Sequence, residues 1–292
     1  MLKSKKYLYE GLLFIVAIIW GSGFIASKIA LNMGATPILI LTLRFLTAAI
    51  MLSIIFFKHL KTISKSDIIG GFIVGLFLFL GFIFQTFGIL YTTPSKNAFL
   101  TGVNVIIVPF LCWILYCKKP PLKSFLSAII CFIGIGLLTL DTAIGVNLGD
   151  LLTLICAVFF ALHIVFNGHY SNKINPIKLS IIQMYVAFIL SLISFVFMDI
   201  NTVKLDITLN AILAILYLGI FCTSIAFFIQ TYAQKKVPAN KAAIFLSTES
   251  VFGTVFSVIL LKESLNIKLI LGCIVIFIAI LISEVEVKKK QC

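Results

Sequence analysis

The sequence predicts an all-α integral membrane protein: ten transmembrane helices arranged as two inverted five-helix repeats. Three observations predict this. Apolar runs of about 20 residues, the length that crosses a hydrocarbon core of roughly 30 Å, recur along the whole chain. Lysines collect in alternate connections between those runs. Stretches of the second half also echo the first at constant spacing.

Composition supports the membrane assignment. Of 292 residues, 61% are hydrophobic and 11% charged, with mean hydropathy +1.19; a soluble domain carries about 25% charged residues. The net charge of +13 is no nucleic-acid footprint, because the lysines form short clusters between apolar runs rather than a basic face or arm. The opening "MLKSKKYLYEGLLFIVAIIW" imitates a signal peptide. Its apolar run passes residue 30 and nine more follow, so it reads as a retained first span. The seven cysteines form no CxxC pair and mostly lie in apolar runs, where they read as small buried hydrophobes.

In chain order the spans are 8–31, 37–57, 67–90, 95–116, 122–140, 149–170, 177–198, 209–232, 237–261 and 266–284. Breakers separate them, including "GATP" (34–37), "TTPS" (92–95), "KKPP" (118–121) and "INP" (174–176). With the N-terminus inside, seventeen lysines fall on inner segments; only Lys96, Lys204, Lys262 and Lys268 fall on outer ones. That bias puts both termini in the cytoplasm of a multi-pass cell-membrane protein, in a bacterial plasma membrane.

The repeat is read from matched residues. "QTFGILYTTPSKNAFLTG" begins at Gln85 and "QTYAQKKVPANKAAIFLS" at Gln230, 145 residues later. The same spacing pairs Lys96 with Lys241 and Asn104 with Glu249. Upstream the spacing is 139, pairing Leu12-Leu13 with Leu151-Leu152 and Pro37-Ile38 with Pro176-Ile177; a longer outer loop around 199–208 absorbs the difference. Five spans is an odd number, so two copies (1–145 and 146–292) must take opposite orientations. Inverted repeats are an architecture of alternating-access transporters, with the substrate site near the midplane between the halves.

Four stretches carry a family resemblance: "IWGSGFIASKIAL" (19–31), "PILILTLRF" (37–45), "YTTPSKNAFLTGVNVIIVPFL" (91–111) and "STESVFGTVFSVILLKE" (247–263). In that order they resemble the EamA-type transporters of the drug/metabolite transporter superfamily. The resemblance implies an exporter-like carrier whose cavity is lined by spans 1–4 and 6–9, with spans 5 and 10 peripheral. Two departures stand out. The family's ninth span usually reads Glu-Pro near its middle, where this chain has Glu249-Ser250, which puts the expected kink in question. It often ends in Gly-Glu, where this chain has Lys262-Glu263.

Ionisable groups inside a span cost about 2.5–3.5 kcal/mol each on insertion scales and so nominate themselves for function. Arg44 is the only arginine beside 22 lysines. Its planar fork suits an anionic substrate group or a structural clamp on backbone carbonyls. Glu249 is the only carboxylate deep in a span. It can couple transport to protons, hold a substrate ammonium, or brace its helix through Ser247, Thr248 or Ser250. His163 is a binding or simply hydrogen-bonded histidine. Asn97 and Asn104 can meet substrate or tie helices together. Trp20, next to Gly21, Ser22 and Gly23, reads either as an aromatic wall at a flexible point of the first span or as packing filler. Lys96 and Lys241 read as interfacial anchors; as gate residues they would be a symmetric pair.

The substrate-binding candidates are therefore Trp20, Ser22, Arg44, Asn97, Asn104, His163 and Glu249, with Glu249 also the proton-coupling candidate. No catalytic residue, metal ligand or cofactor is expected. The partners are a small molecule, the lipid bilayer and protons, but no nucleic acid, and the assembly is a monomer or a homodimer. An ATP-driven pump lacks its GxxxxGK[ST] loop, and a lipid-modifying enzyme lacks clustered ligands or HExxH. A channel lacks acidic rings or a carbonyl filter. A secondary transporter of small metabolites such as amino acids remains, with a multidrug or cation exporter as the alternative.

Overall fold

The structure, a computed structural model, describes residues 2–117, 119–141, 145–200, 208–264 and 266–284. Lys118, Lys204, Lys288–Lys290, Cys292 and most of the expected 199–208 loop lie outside them. Among the described residues, eight helices are long and apolar enough to cross a membrane, and two shorter apolar helices accompany them.

The first half runs α1 (Leu2–Asn32), α2 (Pro37–Ile55), the single turn α3 (Phe57–Leu60), α4 (Lys65–Tyr91), α5 (Pro94–Gly102), α6 (Asn104–Tyr116) and α7 (Leu122–Thr139). A two-residue antiparallel pair, β1 (Leu140–Asp141) and β2 (Gly145–Val146), turns the chain into the second half. There follow α8 (Leu148–Ser171), α9 (Pro176–Met198), α10 (Leu209–Tyr217), a π-helical segment (Leu218–Ile225), α11 (Ala226–Gln234), α12 (Ala239–Ser247), α13 (Glu249–Leu261) and α14 (Ile267–Glu284). Each predicted span is thus a helix or a run of helical segments, and the sequence explains where each begins. Thr36, Thr93 and Asn175 cap α2, α5 and α9 with their side chains, each followed by proline at the first helical position. Ser64 and Asp67 form a reciprocal capping box on α4.

Three pairs of helices stand 145 residues apart at both ends: α5 with α12, α6 with α13, and α7 with α14. The interruptions match too. Val103 separates α5 from α6, and Thr248 separates α12 from α13, both in right-handed helical backbone. The ninth span therefore breaks without the family's proline. Thr248, Ser247 and Ser250 donate their hydroxyls to the carbonyls of Phe245 (2.6 Å), Ile244 (2.8 Å) and Ser247 (2.8 Å), and such back-bonding bends helices. The ends match again: Cys117 and Lys262, the residues after α6 and α13, are the two non-glycine residues with positive φ, at 55° and 53° among the described residues. Lys262 occupies the left-handed position where the family often places glycine.

The halves interlock. α4 packs between α8 and α9, α2 against α9, and α1 against α13. The α4–α8 crossing is close because Gly88 faces Gly149: a Cβ on Gly149 would sit 2.7 Å from the Gly88 carbonyl oxygen. α7 and α14 pack on each other at the edge.

Candidate functional site

A cavity of about 40 Å³, room for a few waters, opens between the two halves. It draws lining residues from α1, α2, α4, α6, α8, the π segment, α11, α12 and α13, and none from α7 or α14. The seventh span, α9, also contributes none; it stands behind the wall, where Gln183 accepts a hydrogen bond from His163 Nε2 at 3.0 Å.

Five of the seven candidates meet there: Trp20, Arg44, Asn104, His163 and Glu249. Ser22 does not. Two residues beyond Trp20 on the same helix, it points away and bonds the Tyr217 hydroxyl at 2.6 Å in a shallow groove. Asn97 is fully buried and off the cavity lining: its amide nitrogen donates to Thr153 Oγ1 (2.7 Å) and the Gln85 carbonyl (3.3 Å), while its Oδ1 has no hydrogen-bond partner among the described residues.

Arg44 is 3% exposed. Its Nε donates to Thr223 Oγ1 at 2.9 Å, and its guanidinium lies 4.0 Å from the centre of the Phe82 ring. One nitrogen and one ring face orient the fork, while the terminal nitrogens carry no hydrogen bond to another described residue. Glu249, the first residue of α13, is 5% exposed, and its carboxyl likewise has no hydrogen bond to another described residue. The Ser247, Thr248 and Ser250 hydroxyls that might have braced it are used on backbone carbonyls.

Trp20 is held from two directions: its indole N–H donates to the Cys222 carbonyl at 2.9 Å, and its ring lies 4.7 Å from that of Phe227. Phe24, Phe82, Phe160 and Phe227 complete an aromatic lining. His163 heads a chain of polar contacts behind the wall. Gln183 donates to Thr231 (3.1 Å), Thr231 to Asn167 (3.2 Å), Asn167 to Gln234 (2.6 Å), and Gln234 to the Ile164 carbonyl (3.0 Å).

Sequence reasoning underrated two residues. Gln85 and Gln230, which open the two repeated stretches but stand outside the seven candidates, both line the cavity. Both polar atoms of the Gln230 side chain are buried without a hydrogen-bond partner among the described residues, as is Asn104 Oδ1. Buried amides normally find partners, and the repeat spacing that pairs Gln85 with Gln230 was the signal available.

Lys28 and the terminal lysines are not cavity residues. Lys28 donates to the carbonyls of Ile89 (2.8 Å) and Thr92 (3.1 Å). Lys96 pairs with Asp150, and Lys241 with Glu10.

Known proteins place this arrangement. The profile of the EamA-like transporter family matches residues 8–140 and again 147–284. An uncharacterized transporter of Archaeoglobus fulgidus is 35% identical over 286 residues, covering 98% of this chain and 89% of that protein. The uncharacterized transporter YetK of Bacillus subtilis is 24% identical over 307 residues, covering 100% and 90%. A solved crystal structure superposes with TM-score 0.67 at 16% identity, over 94% of this chain and 97% of that one, which is likeness of fold. Two profile matches covering nearly the whole chain, on a bundle of membrane-length apolar helices around one central cavity, make this a multi-pass membrane transporter that belongs to the EamA-like transporter family.

Proposed function

We propose that the chain is a secondary active transporter that exports small metabolites such as amino acids across the cytoplasmic membrane, by alternating access of its central cavity. The observation that carries this reading is that one cavity is lined by both a cationic and an acidic side chain, Arg44 and Glu249, each buried and each with unoccupied hydrogen-bonding capacity. A zwitterion offers a carboxylate to the first and an ammonium to the second. Asn104 and Gln230 supply further polar groups, and Trp20 and the phenylalanines supply apolar area. Glu249 is the coupling site, exchanging a proton for substrate as the cavity opens to each side.

The architecture proposed is two inverted five-helix repeats, 1–145 and 146–292, with both termini cytoplasmic. The twofold profile match, the helix bounds repeated at 145 residues and the lysine bias support it. A second reading, export of aromatic cations, draws on the aromatic lining around Glu249.

Counterflow in proteoliposomes tests the first reading: vesicles loaded with unlabelled amino acids should take up the labelled amino acid saturably. Uptake stimulated by internal organic cations instead favours the second reading. Unsaturable leak overturns both.

A further inference from the structure

Two ion pairs lie at opposite ends of the cavity. Lys241 Nζ is 2.7 Å from Glu10 Oε1, and Lys96 Nζ is 3.5 Å from Asp150 Oδ2. Lys96 and Lys241 are the third residues of α5 and α12, 145 residues apart. Glu10 and Asp150 lie near the starts of α1 and α8, one residue from equivalence at the 139 spacing. Each pair joins one half of the chain to the other. Because successive spans alternate direction, α1 and α12 begin at one face of the bundle, and α5 and α8 at the opposite face.

The four helical runs that carry these charges also line the cavity, through Trp20, Asn104, Phe160 and Glu249 among others. From Lys96 to Asn104, as from Lys241 to Glu249, the run advances eight residues, about 12 Å of helix. From Glu10 to Trp20, as from Asp150 to Phe160, it advances ten, about 15 Å. The cavity is therefore midway between two matching bridges. Each bridge ties together a pair of walls that must part for that mouth to open.

The geometry points to Lys241–Glu10 and Lys96–Asp150 as the two gates of the cavity, broken one at a time so that each mouth opens while the other stays latched. This rests on the carrier reading above. In each pair the lysine is partly exposed while the carboxylate is buried, so water can take up the released ammonium when the latch opens. The Asp150 gate is the more heavily tied: Thr92 Oγ1 donates to Asp150 at 2.6 Å, and Ser95 Oγ donates to Glu263 at 2.9 Å beside it. A third ion pair, Lys178–Asp67 at 3.2 Å, lies at the same face as Lys241 but joins α4 to α9, and α9 lines nothing, so it does not tie two cavity walls together. It serves as the internal control.

The experiment reads sidedness directly and needs no known substrate. In a protein whose only cysteine is Cys222, a cavity residue, a small membrane-impermeant thiosulfonate is applied from one face of sealed vesicles. Lys241→Met should raise labelling from the face where α1 begins by about fivefold and lower it from the other. Lys96→Met should do the reverse, and Lys178→Met should change neither. The charge swap Lys241→Glu with Glu10→Lys should return the parent pattern, which separates a lost gate from a lost fold. Equal change at both faces, no change, the same change with Lys178→Met, or a swap that fails to restore sidedness overturns the proposal. Counterflow that persists under any of those outcomes leaves the transporter reading intact.

Discussion

Asn104 and Glu249 open two helical segments of equal length from opposite halves of the chain, and both reach the same cavity. One is an amide with a buried, unpartnered oxygen; the other is a carboxyl free of any hydrogen bond to a described residue. Equivalent depth with unequal chemistry makes Glu249 the single titratable side of a matched pair. Glu249→Gln copies Asn104 chemically and keeps the side-chain volume. It is expected to abolish transport driven by a proton gradient, while counterflow persists at saturating substrate with its half-saturation concentration raised about tenfold by the lost contact to the ammonium. Proton-driven transport that survives the change would remove the coupling role and leave the carboxyl a substrate contact alone.

Arg44 donates one nitrogen to Thr223 and rests on Phe82, so its fork is aimed by contacts a lysine cannot reproduce. Arg44→Lys should raise the half-saturation concentration for counterflow by about tenfold, the equivalent of roughly 1.4 kcal/mol. The folded yield should hardly change. An unaltered half-saturation would reduce Arg44 to a clamp between α2 and the π segment.

Lys262 and Cys117 adopt left-handed backbone at the ends of α13 and α6. That conformation costs a non-glycine residue about 1–2 kcal/mol. Lys262→Gly and Cys117→Gly should therefore each stabilise the detergent-solubilised protein, by about 1 kcal/mol. A lower melting temperature for both would mean that the side chains contribute more than the backbone strain costs.

Ser250 is the second residue of α13, where the backbone N–H has no intrahelical partner. Ser250→Pro, which restores the family's Glu-Pro, should fold with a stability change within about 1 kcal/mol, because proline is tolerated in a helix's first turn. The same change at Phe252, two residues on, removes the N–H that bonds the Thr248 carbonyl at 3.3 Å and should cost about 3 kcal/mol or more. Equal damage at the two positions would contradict the break at Thr248.

The spans were legible because hydropathy integrates over many residues and because Thr36-Pro37, Thr93-Pro94 and Asn175-Pro176 punctuate them. The breaks at Val103 and Thr248 and the π segment were not, since they depend on which local carbonyl each backbone N–H or hydroxyl bonds, which hydropathy does not register. In the cavity, rarity was a good guide: Arg44, His163 and Glu249 stand out in any composition and do line it. Helix facing was a poor one. Hydropathy does not separate Ser22 from Trp20, although they point to different sides of one helix. Nor does it reveal that the Asn97 amide nitrogen donates to Thr153. Gln230 was discounted because most membrane amides do find partners, and here none is present among the described residues.

The π turn between Leu218 and Ile225 has no counterpart in α4, which stays α-helical from Lys65 to Tyr91. Its Thr223 bonds back five residues to Leu218 and receives Arg44, whose own counterpart at the 139 spacing is the uncharged Gln183, behind the wall. In the alternating-access carrier proposed above, interchangeable halves would populate the two open states equally, while the gradients set net direction in any case. On that reading, halves that differ at Arg44 and at the π turn give the two open states unequal resting populations before any solute arrives.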